Sequence, residues 1–465
     1  MAAFIKHSSP QASDMPFSTK IDIIQTPRPI PWKDYPLVEE RQDSELLKTY
    51  TPIDLKIINQ FFPPDYAATG QLIEELAHHL RPFGRVEVFT SQPSYAFDRD
   101  DSPRTENYES LRIRRSQAAR FWPQRIRGKA VAGVIFFIRT ALHLLRHSNE
   151  QGIVVLTTAP PFLPLLGYLL SRICNIRYVC LLYDLYPDIA IELDVIKKHH
   201  WLVKVWNRLN SLTWQHAEAI IVLSENMKER IVAKQPDVAE KIAIIPSWVD
   251  PEQIVPRPKH ENWFAREHGL VEPFTVLYSG NMGRCHDMDT LLGAVKLLRD
   301  TPIRFVFIGS GEKRKQFQQS VADLGLKNCL FLPYQSRENL PYSLTACDVS
   351  IVSVSEGMEG LVAPSKLYSA LASGRPIVSI CPAKSYLNGV FAEANCGTTV
   401  RNGASQELAA YLQRLSQNPR MASELGRSGR EFCRKNYTSE KIARDYLALF
   451  QSIESVDRQH RSAHG

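Results

Sequence analysis

From Ile53 onward, short apolar runs alternate with longer stretches whose apolar residues are spaced as on a helix. Ile53, Leu55, Ile57 and Ile58 form a run that predicts a buried strand. FFPPDYAATG reads as a loop. QLIEELAHHLRPFG then places apolar residues at 72, 73, 76 and 80, a helical spacing that Pro82 and Gly84 bring to a stop. Val86, Val88 and Phe89 open the next strand. Strand, glycine loop, helix and strand make a βαβ unit, which predicts a parallel sheet covered by helices. The cycle continues with strands at Gly152–Thr158, Tyr178–Leu182, Ala219–Leu223 and Lys241–Ile245 and a helix at Leu163–Cys174. The proline-rich stretch 246–262 has no period and reads as a linker between domains. A second series follows, with strands at Phe274–Tyr278, Phe305–Ile308, Asp348–Val354 and Ile377–Ile380. Its helices are expected at Met288–Leu298, Arg314–Leu324 and Lys366–Ala372, and more helix over 406–455.

The expected architecture is α/β: two doubly wound, Rossmann-like domains facing across a cleft. Residues 1–50 form a polar extension, 51–250 the first domain, 251–262 the linker and 263–435 the second domain. Residues 436–465 supply a last helix and tail. Ligands of such sheets bind beyond the carboxyl ends of the strands, so each loop after a strand is a candidate.

Composition narrows the class. The 465 residues are 44% hydrophobic and 23% charged, which excludes a largely disordered chain and a polytopic membrane protein. The eight cysteines are scattered, without a Cys-x-x-Cys pair or zinc spacing, and read as reduced, mostly buried thiols of a cytoplasmic protein. No metal site is expected. The first 20 residues lack an apolar run and read as neither a secretory signal nor an anchor.

Three loops of the second series carry the candidate chemistry. Gly280–Asn281–Met282–Gly283–Arg284 lies between a strand and a helix. Its glycines permit close backbone approach, and Arg284 adds charge for a phosphate, although a simple tight turn also fits. Gly309–Ser310–Gly311 ends the next strand and leaves room for a flat group such as a base. It is not a dinucleotide fingerprint, because position 314 is Arg. In SEGMEGLVAPSKLYSALASGRP, glycines 357 and 360 flank Glu356 and Glu359, and Ser365 and Lys366 open a helix. Ser365 is expected to cap that helix, whose N–H groups, together with Lys366, face an anion. Acids beside a phosphate site suit a ligand that also presents hydroxyls, as a nucleotide sugar does. In the first series, Asp184 and Asp188 of YDLYPD accept a proton, orient a hydroxyl or cap a helix.

The net charge of +7 is mild, so its distribution matters more than its total. Between Glu109 and Glu150 there are nine Lys or Arg and no acid, interleaved with Phe121, Trp122, Ile135, Phe136 and Phe137. Residues 197–208, with Trp201 and Trp206, have the same character. Residues 112–147 and 197–208 are therefore expected to meet an anionic membrane surface, the alternative being helices packed on the sheet with a solvated basic rim. No nucleic-acid motif accompanies the charge, and no nucleic-acid partner is expected.

Eight segments in order, FFPPDYAATGQLIEELAHHL, DLYPD, AIIVLSENMKERI, IIPSWVD, LYSGNMGRCHDMDTLL, FVFIGSGEKRK, FLPYQSRENLP and APSKLYSALASGRPIV, resemble family 4 glycosyltransferases of the GT-B fold. The closest likeness is to enzymes of bacterial colanic-acid and O-antigen synthesis, and it spans about Ile53 to Ile453. The resemblance implies transfer of a sugar from a nucleotide-diphosphate donor with retention of configuration. It implies no metal or other cofactor, the donor in the second domain and a lipid-linked or polysaccharide acceptor at the first. It also implies a place on the inner face of the cytoplasmic membrane and a final helix, around Thr438–Ile453, that crosses back to the first domain.

Carried over residue by residue, Lys366, Ser365 and Arg284 hold the diphosphate. Gly309, Ser310, Gly311 and Tyr334 hold the base, and Glu356 and Glu359 the sugar. Asp184 orients the acceptor hydroxyl. Gly70 resembles the residue against the donor phosphates, and Asn281, Gly283, Gly360, Leu361 and Ser369 complete the donor site. The departures are Asn281 and His286 where the family commonly has Arg and Lys, Ser369 where it has a second Glu, and Tyr183 where it has His. These departures keep two alternatives in view: a non-catalytic nucleotide-sugar-binding protein, and a nucleotide-sugar 2-epimerase.

Overall fold

The computed structural model describes residues 52–65, 67–93, 102–117, 126–150 and 152–464. The expectation of a polar extension over 1–50 lies outside them, as do Phe121 and Trp122. Among the described residues the chain forms two sheets, numbered here in chain order. The first contains β1 (Ile53–Ile58), β2 (Gly84–Ser91), β3 (Thr105–Tyr108), β4 (Leu111–Ser116), β5 (Ile153–Thr157), β6 (Arg177–Leu182), β7 (Ala219–Val222) and β8 (Ile242–Ile244). The second contains β9 (Phe274–Ser279), β10 (Ile303–Ile308), β11 (Cys329–Leu332), β12 (Val349–Ser353), β13 (Ile377–Ile380) and β14 (Gly397–Val400).

The strand orders are β3-β4-β2-β1-β5-β6-β7-β8 and β11-β10-β9-β12-β13-β14. Every pairing is parallel except β3 with β4. Parallel strands need helical crossovers that bury both faces, which is why β5 and β7 read as near-continuous apolar runs. In each sheet the chain starts near the middle, winds one way and then reverses. The reversal falls between β1 and β5 in the first sheet and between β9 and β12 in the second. Loops leaving neighbouring strands there turn to opposite faces and open a crevice.

Two short strands of the first sheet escaped the sequence pattern. In β4, Leu111, Ile113 and Arg115 point inward and Arg112 outward, and the arginines mask the alternation. Arg115 is buried. It pairs with Glu106 of β3, donates to Pro63 O at 3.0 Å and lies 5.9 Å from the Phe62 ring centroid. The segment 112–147 is therefore not one surface. Its first residues belong to the sheet, and a helix starts only at Ile126, running to Arg146.

Several side chains hold the proline-rich linker, Arg430 at three points and Arg375 through Arg257 O at 2.6 Å. Arg430, on the helix Pro419–Asn436, donates to Pro251 O at 2.8 Å, to Ile254 O at 2.6 Å and to Ala372 O. Val249 N–H donates to Tyr437 O at 3.0 Å. The last helix, Ser439–His464, packs on the helix Ala68–Leu80 of the first half, and Arg177 beside β1's neighbour strands donates to Ile453 O at 3.0 Å. Arg430→Met keeps the apolar stem but strands three carbonyls. We expect it to destabilise the fold by about 3 kcal/mol, since an orphaned buried acceptor costs roughly 1–3 kcal/mol. The denaturation midpoint in urea reads this directly.

Candidate active site

One wall of the crevice at the second sheet's reversal is built of backbone. Gly280 N–H donates to Ile308 O at 2.8 Å, Met282 N–H to Ser310 O at 2.7 Å and Lys313 N–H to Met282 O at 3.0 Å. The loops after β9 and β10 are thus zipped together. A Cβ on Gly309 would stand 2.2 Å from Gly280 O, and one on Gly311 2.5 Å from Met282 O, with φ of +125° and +141°. The bare backbone at 309 and 311 is required by the neighbouring loop, so close packing accounts for these glycines independently of any base. Tyr334 lies over Gly309, 3.2 Å from the position of such a Cβ, and is 58% exposed. Ser310 and Asn281 are exposed beside it. Gly283 packs under the Asn281 amide.

Lys366 enters this crevice from the helix Lys366–Ala372. Its stem lies against Gly280, where a Cβ would stand 2.9 Å from Cε. Its Nζ is 3.1 Å from His286 Nε2 and 5.3 Å from the Tyr278 ring centroid. No carboxylate among the described residues pairs with it. Burial pushes its pKa down to about 8. An enclosed ammonium with no counter-charge is a receptor for an anion. The expected cap is absent: Ser365 is exposed, has helical backbone angles and makes no capping hydrogen bond. A helix of seven residues also has a weak dipole, so the Lys366 charge does most of the electrostatic work. Ser369 turns its hydroxyl back to Lys366 O at 3.2 Å.

The loop after β12 bridges to the first half. Leu185 N–H donates to Leu361 O at 3.1 Å, and Asp184 and Val362 form an antiparallel bridge. Arg230 donates to Glu359 O at 2.6 Å and Gly357 O at 2.9 Å, and pairs with the Glu359 carboxylate at 3.4 Å. Asn226 Oδ1 accepts from Tyr386 N–H at 2.6 Å. Glu359 is thus spent on Arg230 in this state, with Oε2 buried and unpartnered, while Glu356 is exposed. Leu361 is fully buried. Arg284 also reaches across, donating to Leu193 O.

On the facing side, Asp184 keeps some surface toward the cleft but is otherwise enclosed. Burial raises its pKa to about 6. The Cys285 thiol, raised chiefly by burial, feels Asp184 on one side and Lys313, Arg284 and Lys366 on the other, so acid and cations lie near one spot. Asp188 is placed elsewhere, paired with Lys234 at 2.5 Å. Tyr183 does not line the cleft. It is buried, and its hydroxyl has no partner. Gly70 is explained by packing, since a Cβ there would stand 3.0 Å from the Phe61 carbonyl group. The sequence reading missed Lys313, Arg230 and Cys285. Lys313 follows Gly-x-Gly by one residue and was legible as a cation beside that loop. Arg230 is one basic residue among several on its helix and carried no signal.

The match to known proteins agrees with this geometry. The family described as Glycosyl transferase 4-like domain matches residues 68–248, and that described as Glycosyl transferases group 1 matches residues 260–432. Each half of the chain is therefore similar to a glycosyltransferase domain, and the two together have the GT-B fold. It is 23% identical over 397 residues to the probable glycosyltransferase WbjE of Pseudomonas aeruginosa, covering 84% of this chain and 96% of that one. It is 24% identical over 333 residues to the putative colanic acid biosynthesis glycosyl transferase WcaI of Escherichia coli, covering 67% and 79%. The solved structure of HepE from Anabaena in complex with UDP superposes with a TM-score of 0.64 at 14% identity, covering 86% of this chain and all of that one.

Gly360 offers a test of the closed cleft. With φ of +72°, a Cβ there would stand 2.5 Å from Asn226 O across the cleft, whereas one on Gly389 would meet nothing within 4 Å. Gly360→Ala should speed hydrogen exchange at the Leu185 and Tyr386 amides about tenfold, the equivalent of roughly 1.4 kcal/mol. Gly389→Ala should leave both unchanged.

Proposed function

We propose that the protein transfers a sugar, with retention of configuration and without a metal, from a nucleotide-diphosphate donor to a lipid-linked or polysaccharide acceptor in glycan synthesis at a membrane surface. The observation that carries this reading is Lys366: an enclosed ammonium without a counter-charge, at the crevice where an open α/β sheet binds its ligands. A leaving diphosphate gains negative charge as the glycosidic bond breaks, and a fixed cation in a low-dielectric crevice stabilises it without reorganising. Arg284 and Lys313 add charge once a ligand competes for their present carbonyl partners. Tyr334 offers an exposed ring for the base. Asp184, on the acceptor side, orients the incoming hydroxyl. The UDP of the Anabaena relative and the colanic acid role named for the E. coli relative support the donor and pathway class.

The membrane reading draws on the helix Ile126–Arg146, whose outer face is more apolar than many inner ones. Val131, Val134, Ile138, Leu142 and Leu145 follow helical spacing and are each 41–52% exposed. Its inner face buries Phe136 and Leu144 and is held by His143, whose Nε2 meets Glu87 at 2.9 Å. Helices Pro164–Cys174 and Trp201–His216 pack in series beside it and expose Leu169, Ile173, Trp201, Leu202 and Val205. Exposed Lys197, Lys198, Lys204 and Arg208 supply charge for anionic headgroups. No helix among the described residues is long and apolar enough to cross a membrane, so the fitting mode is a face laid on the surface.

Release of nucleoside diphosphate from a panel of UDP-, GDP- and dTDP-sugars, with and without membrane lipid extract, tests the reaction. Lys366→Ala should lower turnover by about 100-fold, the scale of losing one preorganised charge contact. No lipid-stimulated release from any donor would overturn the reading. The active form needs Asp184 ionised, above about 6, and Lys366 protonated, below about 8. The pH profile of kcat/KM should therefore be bell-shaped between those limbs, and Lys366→Arg should remove the alkaline one. Separately, Val134→Glu with Ile138→Glu should abolish co-sedimentation with phosphatidylglycerol vesicles while leaving the melting temperature unchanged, because both side chains already face solvent.

A further inference from the structure

His286 is bound at three points to three different parts of the second domain. Its Nδ1 lies 2.7 Å from Ser353 O at the end of β12. Its own carbonyl accepts from Lys313 Nζ at 2.6 Å, in the loop after β10. Its Nε2 lies 3.1 Å from Lys366 Nζ. A carbonyl oxygen can only accept, so Nδ1 carries the ring proton and Nε2 presents a lone pair. The ammonium donates to that lone pair. On its other side Lys366 faces Tyr278, whose hydroxyl is fixed by donation to Asn281 O at 3.0 Å.

We propose that His286 is the positioning residue for Lys366: a neutral acceptor, held in one tautomer by Ser353, that aims the ammonium into the crevice without cancelling its charge. A carboxylate at the same place would aim Lys366 equally well, but it would neutralise the ammonium and repel a phosphate. A second cation would attract phosphate, but it could not accept the lysine's proton and would push the ammonium away. A neutral imidazole does neither. Burial and the two flanking lysines push the His286 pKa down to about 3, so the ring stays uncharged across the working pH range. Where a charged side chain would supply a second contact, this crevice instead uses an uncharged one to make a single contact exact in direction. The ligand this favours is a diphosphate, whose negative charge supplies the counter-charge that Lys366 lacks. The inference rests on the reading of Lys366 as the diphosphate contact.

The test is calorimetric binding of UDP, GDP and dTDP to the full chain and four variants. His286→Ala should weaken binding of whichever nucleotide is held by about tenfold, the equivalent of roughly 1.4 kcal/mol. His286→Gln, which presents both an amide donor and a carbonyl acceptor, should recover most of that loss. The deciding comparison is the pair Lys366→Ala and Lys366→Ala with His286→Ala. If His286 acts through Lys366, the double variant binds as the single one does, because the interaction is already gone. A further tenfold loss in the double variant would mean that His286 merely supports the loop, and would overturn the proposal. Unchanged binding in His286→Ala would also overturn it while leaving the diphosphate site intact. Unchanged binding in Lys366→Ala, or no nucleotide bound at all, would remove the diphosphate site and this inference with it.

Discussion

The structure depends on a close passage of bare backbone where β9 and β10 release their loops. Gly309 and Gly311 let the loops after β9 and β10 pass at distances no Cβ would tolerate, and Gly280 leaves room for the Lys366 stem. The resulting hydrogen bonds turn two loops into one rigid floor. That floor fixes Tyr278, gives the Lys366 stem a surface to lie on and brings His286 under its ammonium. A charge held this way costs little to reorganise when a ligand arrives, which is what electrostatic catalysis requires. The cost falls on the resting protein, which keeps an enclosed cation without a counter-ion and lowers its pKa accordingly.

The second constraint is the contact between the two halves. At the cleft it is made of backbone and of side chains bound to backbone, Leu185 to Leu361, Arg230 to Gly357 and Glu359, Asn226 to Tyr386 and Arg284 to Leu193, with Arg337 paired to Glu75 at 3.1 Å elsewhere between the halves. Such bonds hold register without burying a large apolar face, and interfaces of this kind permit relative motion of the domains. Residues read from sequence as ligand contacts, Arg284 and Glu359 above all, serve this closure in the state described. Opening the cleft would free both for a donor. Arg430 and the last helix keep the linker ordered, so such motion has a defined pivot.

The helix Ile126–Arg146 departs from the usual arrangement of a helix on a sheet. It buries Phe136 and Leu144 on its inner face, where His143 also meets Glu87, yet aliphatic groups line its outer face as well. Leaving a run of aliphatic side chains in water forgoes the burial that stabilises most surface helices, roughly 1.5–3 kcal/mol for each side chain fully covered. A covering partner recovers that free energy, and the nearby lysines and arginine favour one with an anionic surface.

Apolar periodicity determined the fold class, the positions of β1, β5, β9 and β12 and the loops that follow them, because parallel strands buried on both faces leave a local signal that no distant contact is needed to read. It failed for β3, β4, β11 and β14, short edge or near-edge strands, of which β4 carries arginine inward. Residue type alone also singled out Lys366, Asp184 and the glycine loops. Their roles were another matter. That Ser365 does not cap, that Gly309 and Gly311 make way for a neighbouring loop, that Tyr183 is buried and that Glu359 grips Arg230 all depend on segments brought together from far apart in the chain. His286 shows the division most clearly. Along the chain it is an uncharged residue in a place suited to a cation; only the folded loops supply Ser353, Lys313 and Lys366 as its three partners, and hydrogen-bond direction, which no linear pattern contains, decides what it can do.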